Sequence, residues 1–171
     1  MFRSISRSVF YKLIAVLITS LLFACSESSG SKISYDPITF EKADECHVCG
    51  MAITRFAGPK GQAFETRSDK VRKFCSTLDL VVWYLQPENK PNIKAIYVHD
   101  MGRSPWESPN DEHLISARDA VFVIGSDMQG SMGKTLASFL KETDAAKFAE
   151  QHGGELVVFN GLSLELLNKY R

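Results

Sequence analysis

Residues 62–99 read QAFETRSDKVRKFCSTLDLVVWYLQPENKPNIKAIYVH, and this stretch sets the expected class of fold. Runs rich in β-branched and aromatic residues predict strands over 62–67, 72–74 and 94–99. Apolar residues at helical spacing predict a helix over 77–85. The expected order of elements is therefore strand, strand, helix, strand.

The same order recurs later in the chain. The sequence predicts strands over 120–125, 136–140 and 155–159, with a helix over 144–152 that Thr143 caps. Two successive ββαβ units of this kind predict an α+β fold.

The boundaries of the units follow from composition. The segment 104–118 is rich in Pro, Ser, Asn and charged residues and reads as a linker. We therefore expect a first unit over 36–103, which contains the CHVCGM loop, and a second over 119–171, which contains a methionine-bearing loop.

The N-terminus, MFRSISRSVFYKLIAVLITSLLFAC, places basic residues before an apolar run of signal-peptide length. It ends in Leu-Phe-Ala-Cys, which resembles a bacterial lipobox. Residues 1–24 are thus predicted to be a lipoprotein signal peptide, with lipid on Cys25 and a flexible tether over 25–35. An ordinary signal peptide with a free Cys25 is the alternative. We expect a periplasmic protein anchored by its lipid, and Ser26 after the cysteine favours the outer membrane.

Charge excludes one class of partner. The chain has 20 basic and 20 acidic residues, and the predicted signal peptide holds three of the basic ones and none of the acidic ones. Removing it leaves 17 basic against 20 acidic residues. This slightly acidic balance does not favour nucleic acid.

The stretch CHVCGM, residues 46–51, places Cys46, His47, Cys49 and Met51 within six positions. Thiolate, imidazole and thioether together favour a soft ion such as Cu(I). Zinc sites rarely use thioether, and the sequence lacks the second CxxC or histidine pair that would complete a structural zinc site.

Other uses of these cysteines stay open on the residues alone. In an oxidising compartment, Cys46 could form a structural disulfide with Cys49, or either could pair with Cys75. Thiol-disulfide exchange through CxxC is less favoured, because the residues after Cys49 resemble a strand and not the helix start that stabilises a thiolate. Cys75 itself is expected to be buried and not to bind a metal.

A second group of soft donors lies in the stretch GSDMQGSMGK, which carries Met128 and Met132. A thioether in a polar, glycine-rich loop has little core to fill. If the two units are related by pseudo-symmetry, this loop and the CHVCGM loop can converge on one ion.

The sequence resembles the NosL family, copper-binding accessory lipoproteins of nitrous oxide reductase assembly. The resemblance extends from the lipobox almost to the C-terminus. The motifs that carry it are HVCGM at 47–51, GPKGQ at 58–62, AIYVHDM at 95–101, WE at 106–107, VIGS at 123–126, GSMG at 130–133 and FAEQHGG at 148–154. It implies two small ββαβ units related to those of the organomercurial lyase MerB.

The resemblance also implies a ligand set. Cys49 is the first expected thiolate ligand and Met132 the thioether from the second unit, with His47 and Met51 next. Cys46 departs from the family pattern, so it is either an extra ligand or a disulfide partner of Cys49. The implied ion is Cu(I), with Zn(II) as an alternative.

The function implied by the resemblance is that of a metallochaperone and not of an enzyme. The expected partners are nitrous oxide reductase, its membrane-bound maturation machinery and a membrane, without nucleic acid or a small-molecule substrate. The rivals are a MerB-like enzyme that cleaves carbon-metal bonds with Cys49 and Asp100, a thiol-disulfide redox protein, and a purely structural lipoprotein.

Overall fold

Two antiparallel sheets, each accompanied by a helix, make up the computed structural model, which describes residues 33–170. The first sheet has the order β2-β1-β3-β4. Its elements are β1 (Gly61–Glu65), β2 (Val71–Phe74), helix α1 (Thr77–Tyr84), β3 (Ile93–His99) and β4 (Leu114–Ser116).

The second sheet has three strands in the order β8-β5-β9, and a two-stranded hairpin, β6-β7, stands apart from it. The elements of this half are β5 (Val121–Ile124), β6 (Gln129–Gly130), β7 (Gly133–Lys134), β8 (Ala137–Phe139), helix α2 (Glu142–His152), β9 (Glu155–Val158) and helix α3 (Leu164–Asn168).

The α+β prediction and the repeated order of elements are confirmed. Strands β1 and β2, helix α1 and strand β3 form the first ββαβ set, and β5, β8, α2 and β9 form the second. Residues 33–171 make one compact unit. The division at 36–103 and 119–171 stays a prediction.

Two local expectations differ from the structure. Helix α2 begins at Glu142 with Lys141 at its N-cap, so Thr143 lies inside the first turn and does not cap it. The helix has no side-chain cap. The carboxylates of Glu142 and Asp144 in its first turn interact favourably with the positive end of the helix dipole. Strand β4 was not predicted, and it lies in the segment expected to be a linker, where it pairs with β3.

Helix α1 begins where the sequence supplies a cap. Ser76 has extended backbone, and its hydroxyl accepts a hydrogen bond from the Asp79 N–H. The helix packs Leu80 directly over Gly61 of β1. A Cβ at Gly61 would lie 2.3 Å from Leu80 Cδ2, so only glycine permits this approach of helix to sheet.

The two sheets share one main hydrophobic core, which contains buried residues of α1, β1, β3, β5 and α3. A smaller core between β5, β8 and α2 holds Val123, Ala137, Phe139 and Ala145. The main core draws on both halves, whereas the buried residues of the smaller core all belong to the second ββαβ set.

Polar contacts also join the halves near the end of β3. The Asp100 carboxylate accepts hydrogen bonds from the Gly102 and Leu140 N–H groups, at 3.0 and 3.1 Å. The Ser138 hydroxyl donates to the His99 carbonyl at 2.7 Å. Asp100 therefore holds β3 to the second sheet, which gives this carboxylate a structural task.

Within the described residues, no helix is long and apolar enough to cross a bilayer. The predicted signal peptide, Cys25 and residues 25–32 of the predicted tether lie outside the residues that the structure describes.

Candidate metal centre

The CHVCGM stretch closes into a tight loop. The Cys46 N–H donates to the Met51 carbonyl and the Gly50 N–H donates to the Cys46 carbonyl, each at 2.9 Å. Gly50 has a φ of 70°, a left-handed conformation that glycine adopts without strain. Just outside the loop, Glu45 and Ala52 form an antiparallel bridge. These bonds fix the backbone that carries Cys46 and Cys49.

The loop is attached to the first sheet beside the start of helix α1. The His47 N–H donates to the Lys73 carbonyl of β2 at 2.8 Å. Cys75 follows two residues later, between the end of β2 and the N-cap Ser76. The contact between the loop and β2 thus places Cys75 opposite the two cysteines of the loop.

Three thiol sulfurs come together at this point. The Sγ atoms of Cys46, Cys49 and Cys75 all lie within 4.8 Å of one another, and those of Cys49 and Cys75 are 3.5 Å apart. Sulfurs that surround an ion at about 2.3 Å are separated by about 3.8 Å, so the cluster has the size of a metal site. All three cysteines are free thiols in the structure.

Burial gives the cluster a closed side and an open side. Cys46 is 3% exposed and Cys75 is fully buried, whereas Cys49 is half-buried. An ion would therefore reach Cys49 first.

The charge of the cluster is shared unevenly. A hydrogen bond from the Cys75 thiol, together with the backbone N–H groups of Cys75, Cys49 and Val48, holds the pKa of Cys46 well below its ordinary value despite burial. The same hydrogen bond to Cys46, followed by burial, raises the pKa of Cys75. The Cys75 thiol also lies 3.7 Å from the Asp79 carboxylate, to which it can donate. Of Cys46 and Cys75, Cys46 is therefore the one favoured as the thiolate, which is the form that binds metals.

The methionine loop of the second half approaches this cluster. Ser131 and Met132 form the tip of the β6-β7 hairpin, and the Ser131 hydroxyl donates to the Cys75 carbonyl at 3.0 Å. Met132 is 56% exposed, beside the residue that makes this contact. Met128 lies just before the hairpin and is half-buried. The hairpin thus contacts Cys75, the cysteine outside the CHVCGM loop, and the convergence of the two loops on one ion stays a prediction.

The two remaining predicted ligands have other surroundings. Met51 is half-buried and packs with Cys49 against the main core. His47 places its ring edge-on against Phe74 and Trp83, with centroids 5.9 and 5.4 Å away. Burial, and then the charge of Arg72, lowers the pKa of His47. His47 is not among the described residues whose donor atoms cluster with the three sulfurs.

Cys75 is the member of the cluster that sequence reasoning missed. It lies 26 residues beyond Cys49, and its position depends on how the loop pairs with β2. The sequence places Cys75 immediately before the N-cap Ser76, which fixes its local backbone but does not indicate which residues face it. The ligand assignments made from sequence stay predictions.

Comparison with known proteins identifies a family and two named relatives. The NosL family model matches residues 37–167. The copper-binding lipoprotein NosL of Stutzerimonas stutzeri is 49% identical over 157 residues, which cover 92% of this chain and 82% of the relative. The protein of the same name from Achromobacter cycloclastes is 33% identical over 141 residues, or 81% and 72% of the two chains.

A solved structure has the same fold. The crystal structure of the copper chaperone NosL from Shewanella denitrificans matches with a TM-score of 0.76 and 46% identity, over 77% of this chain and 98% of that one. The family model covers most of the residues described above, including both loops of the candidate centre. This chain therefore belongs to the NosL family.

Proposed function

We propose that this protein binds Cu(I) in the periplasm and carries it to the copper-sulfur centre of nitrous oxide reductase during assembly of that enzyme. The observation that supports copper binding most directly is the group of three thiol sulfurs within 4.8 Å. Relatives that share up to 49% of the sequence bear the name copper-binding lipoprotein. The role in assembly rests on the resemblance to the family.

The donor set favours Cu(I) among the common ions. Thiolate and thioether are soft ligands, which select Cu(I) and suit zinc less well once a thioether is included. Three sulfurs form a complete shell for a low-coordinate ion, and Met132 or Met51 supplies a neutral fourth donor. Zn(II) is the alternative occupant, because three cysteine thiolates with one further ligand are a common zinc site.

The different burial of the three thiols suggests how the ion is passed on. Cys46 and Cys75 hold the ion from the buried side, while the half-buried Cys49 and the exposed Met132 face the solvent. A sulfur or imidazole of the recipient can enter on that open side before Cys49 leaves. Transfer by ligand exchange keeps the ion out of free solution and breaks no covalent bond in a substrate, so the protein acts as a carrier and not as an enzyme.

A lipid on Cys25 would keep the carrier at the membrane, with the outer membrane favoured. Tethering raises the local concentration of the protein near membrane-bound assembly factors and shortens the search for a recipient. The proposed partners are accordingly nitrous oxide reductase and its membrane-bound maturation machinery.

The test is an anaerobic Cu(I) titration of the reduced chain from residue 26 onward against a chromophoric Cu(I) chelator. We expect one tightly bound Cu(I) per chain. Affinity should fall at least tenfold in Cys49→Ser and collapse in Cys49→Ser combined with Met132→Leu. Met101→Leu is the matched methionine control, because Met101 packs in the smaller core. No competition by the wild type, or full affinity in the double variant, would refute the proposal.

One observation favours a second candidate, the cleavage of carbon-metal bonds. Such chemistry uses paired cysteines and a carboxylate, and Asp79 lies 3.7 Å from the Cys75 sulfur, which is itself 3.5 Å from the Cys49 sulfur. The carboxylate near the thiols is thus Asp79 and not Asp100. Incubating the reduced protein with an organomercurial and measuring the released hydrocarbon tests this candidate. Turnover that Asp79→Asn abolishes would support an enzyme, and no release above a protein-free control would exclude this activity.

A further inference from the structure

We propose that Cys49 and Cys75 form a dithiol couple that reduces Cu(II) to Cu(I) at the same site. The proposal extends the Cu(I)-binding function, on which it rests. It starts from the 3.5 Å separation of the two sulfurs, which places them in hydrogen-bond contact across 26 residues of sequence. Cys46 adds a third sulfur within 4.8 Å of both.

A pair of sulfurs matters because Cu(II) accepts one electron. Oxidation of a lone thiolate leaves a thiyl radical, which is a high-energy product. When a second thiolate is adjacent, the radical joins it, and the resulting disulfide radical anion gives its extra electron to a second Cu(II). In the balanced reaction, two thiols and two Cu(II) become one disulfide and two Cu(I), and two protons pass to solvent.

The geometry allows this bond to form with a small movement. A disulfide has an S–S length of about 2.05 Å, so the sulfurs must approach by roughly 1.5 Å. Cys75 is fully buried and held between β2 and the capped start of α1. Cys49 lies on the loop, half-buried, beside Gly50, where an added Cβ would have nothing within 4 Å. Cys49 is therefore the sulfur that moves.

Accessibility assigns different tasks to the three thiols. Cu(II) from solvent meets Cys49 first, because Cys46 and Cys75 are buried. The new disulfide joins Cys49 to Cys75 and leaves Cys46 as the free thiol of the centre. The oxidised protein consequently binds Cu(I) less tightly than the reduced protein does. A dithiol reductant resets the couple by attacking the sulfur of Cys49, which solvent reaches, and itself becomes a disulfide.

The experiment uses the reduced chain from residue 26 onward, freed of reductant and kept anaerobic, since residues 33–171 form a compact unit. Cu(II) is added with a Cu(I)-specific chromophoric chelator present, and free thiols are counted at each point. We expect two Cu(I) per chain, loss of two thiols, and a Cys49–Cys75 disulfide in the peptide map. Cys46→Ser should yield the same mapped disulfide.

In Cys46→Ser combined with Cys49→Ser, only Cys75 remains, so disulfides can join only separate chains and the rate should depend on protein concentration. Cys49→Ser alone should reduce Cu(II) at least tenfold more slowly, because both of its remaining thiols are buried. Cys75→Ser should slow Cu(II) reduction to the same extent. Because a substitution at the buried Cys75 can disturb folding, the half-buried Cys49 position supplies the independent variant. A Cys46–Cys49 disulfide in the wild type, or an unchanged rate in Cys49→Ser, would overturn the proposal. A parallel titration with Cu(I) separates the two claims, because Cu(I) binding without Cu(II) reduction would sink only this inference.

Discussion

The hydroxyl of Thr77, close in sequence to Cys75 of the thiol cluster, links the two halves of the molecule. Thr77 is the first residue of helix α1 and is fully buried, two positions after Cys75. Its hydroxyl donates to the Leu136 carbonyl and lies 3.1 Å from the Thr135 hydroxyl. Thr77→Val keeps the side-chain volume and removes only these hydrogen bonds.

The size of the effect follows from the groups that lose a partner. A buried polar group without its hydrogen bond costs about 1–3 kcal/mol, and no cavity adds to that cost. We therefore expect the free energy of unfolding to fall by about 1–3 kcal/mol. For a unit of this size, the melting temperature should fall by roughly 4 °C for each kcal/mol.

Urea unfolding followed by circular dichroism measures this change. The midpoint should fall while the slope with urea stays constant, because the surface exposed on unfolding is the same. Thr143→Val is the matched control, since Thr143 is exposed in helix α2 and such changes stay within about 0.5 kcal/mol. A Thr77→Val midpoint equal to that of the control would refute the assigned link between the halves.

Three further changes test other parts of the structure. Gly61→Ala forces a Cβ to within 2.3 Å of Leu80 Cδ2. The free energy of unfolding, measured in urea, should therefore fall by about 1–3 kcal/mol. A fall of less than about 0.5 kcal/mol would contradict the packing of α1 on β1. Burial lowers the pKa of His99, against the opposing hydrogen bond with Asp111. The unfolded chain therefore takes up the proton first, and stability should decline as the pH falls below 6.5 toward the lowered pKa. The urea midpoint measured against pH should show less of this decline in His99→Gln, and equal declines would argue against a neutral buried imidazole. Ser131→Ala removes the contact that holds the methionine hairpin to Cys75. Chelator competition should then show a Cu(I) affinity about tenfold weaker than that of the wild type. An unchanged affinity would indicate that Met132 is not a ligand of the site.

Local signals in the sequence were sufficient for most of the helices and strands. Helix α1 carries apolar residues at helical spacing and a serine cap, and the structure has the helix within one residue of its expected end. Strand β4 has only three residues in a polar segment, so its own composition does not predict a strand. Its hydrogen-bonded pairing with β3 stabilises the extended conformation. The same reasoning applies to the short hairpin β6-β7, which the sequence showed only as a glycine-rich loop.

The candidate centre likewise has a part that local sequence predicts and a part that depends on long-range contacts. The CHVCGM loop is local, so its cysteines and the preference for a soft ion were predictable from composition and spacing. Cys75 joins them through a contact between the loop and β2 that no local pattern encodes. His47 contacts Trp83 of helix α1, 36 positions further along the chain, which spacing within the loop could not indicate.

In the proposed copper centre, sulfur atoms from three cysteines hold the ion. X-ray absorption at the copper edge of the reduced, Cu(I)-loaded protein measures the number and kind of ligands directly. We predict a sulfur-dominated shell that loses one sulfur in Cys75→Ser, the variant that sequence reasoning alone would not have chosen. A shell of nitrogen or oxygen donors, or a sulfur count that does not change in Cys75→Ser, would contradict the three-thiol site.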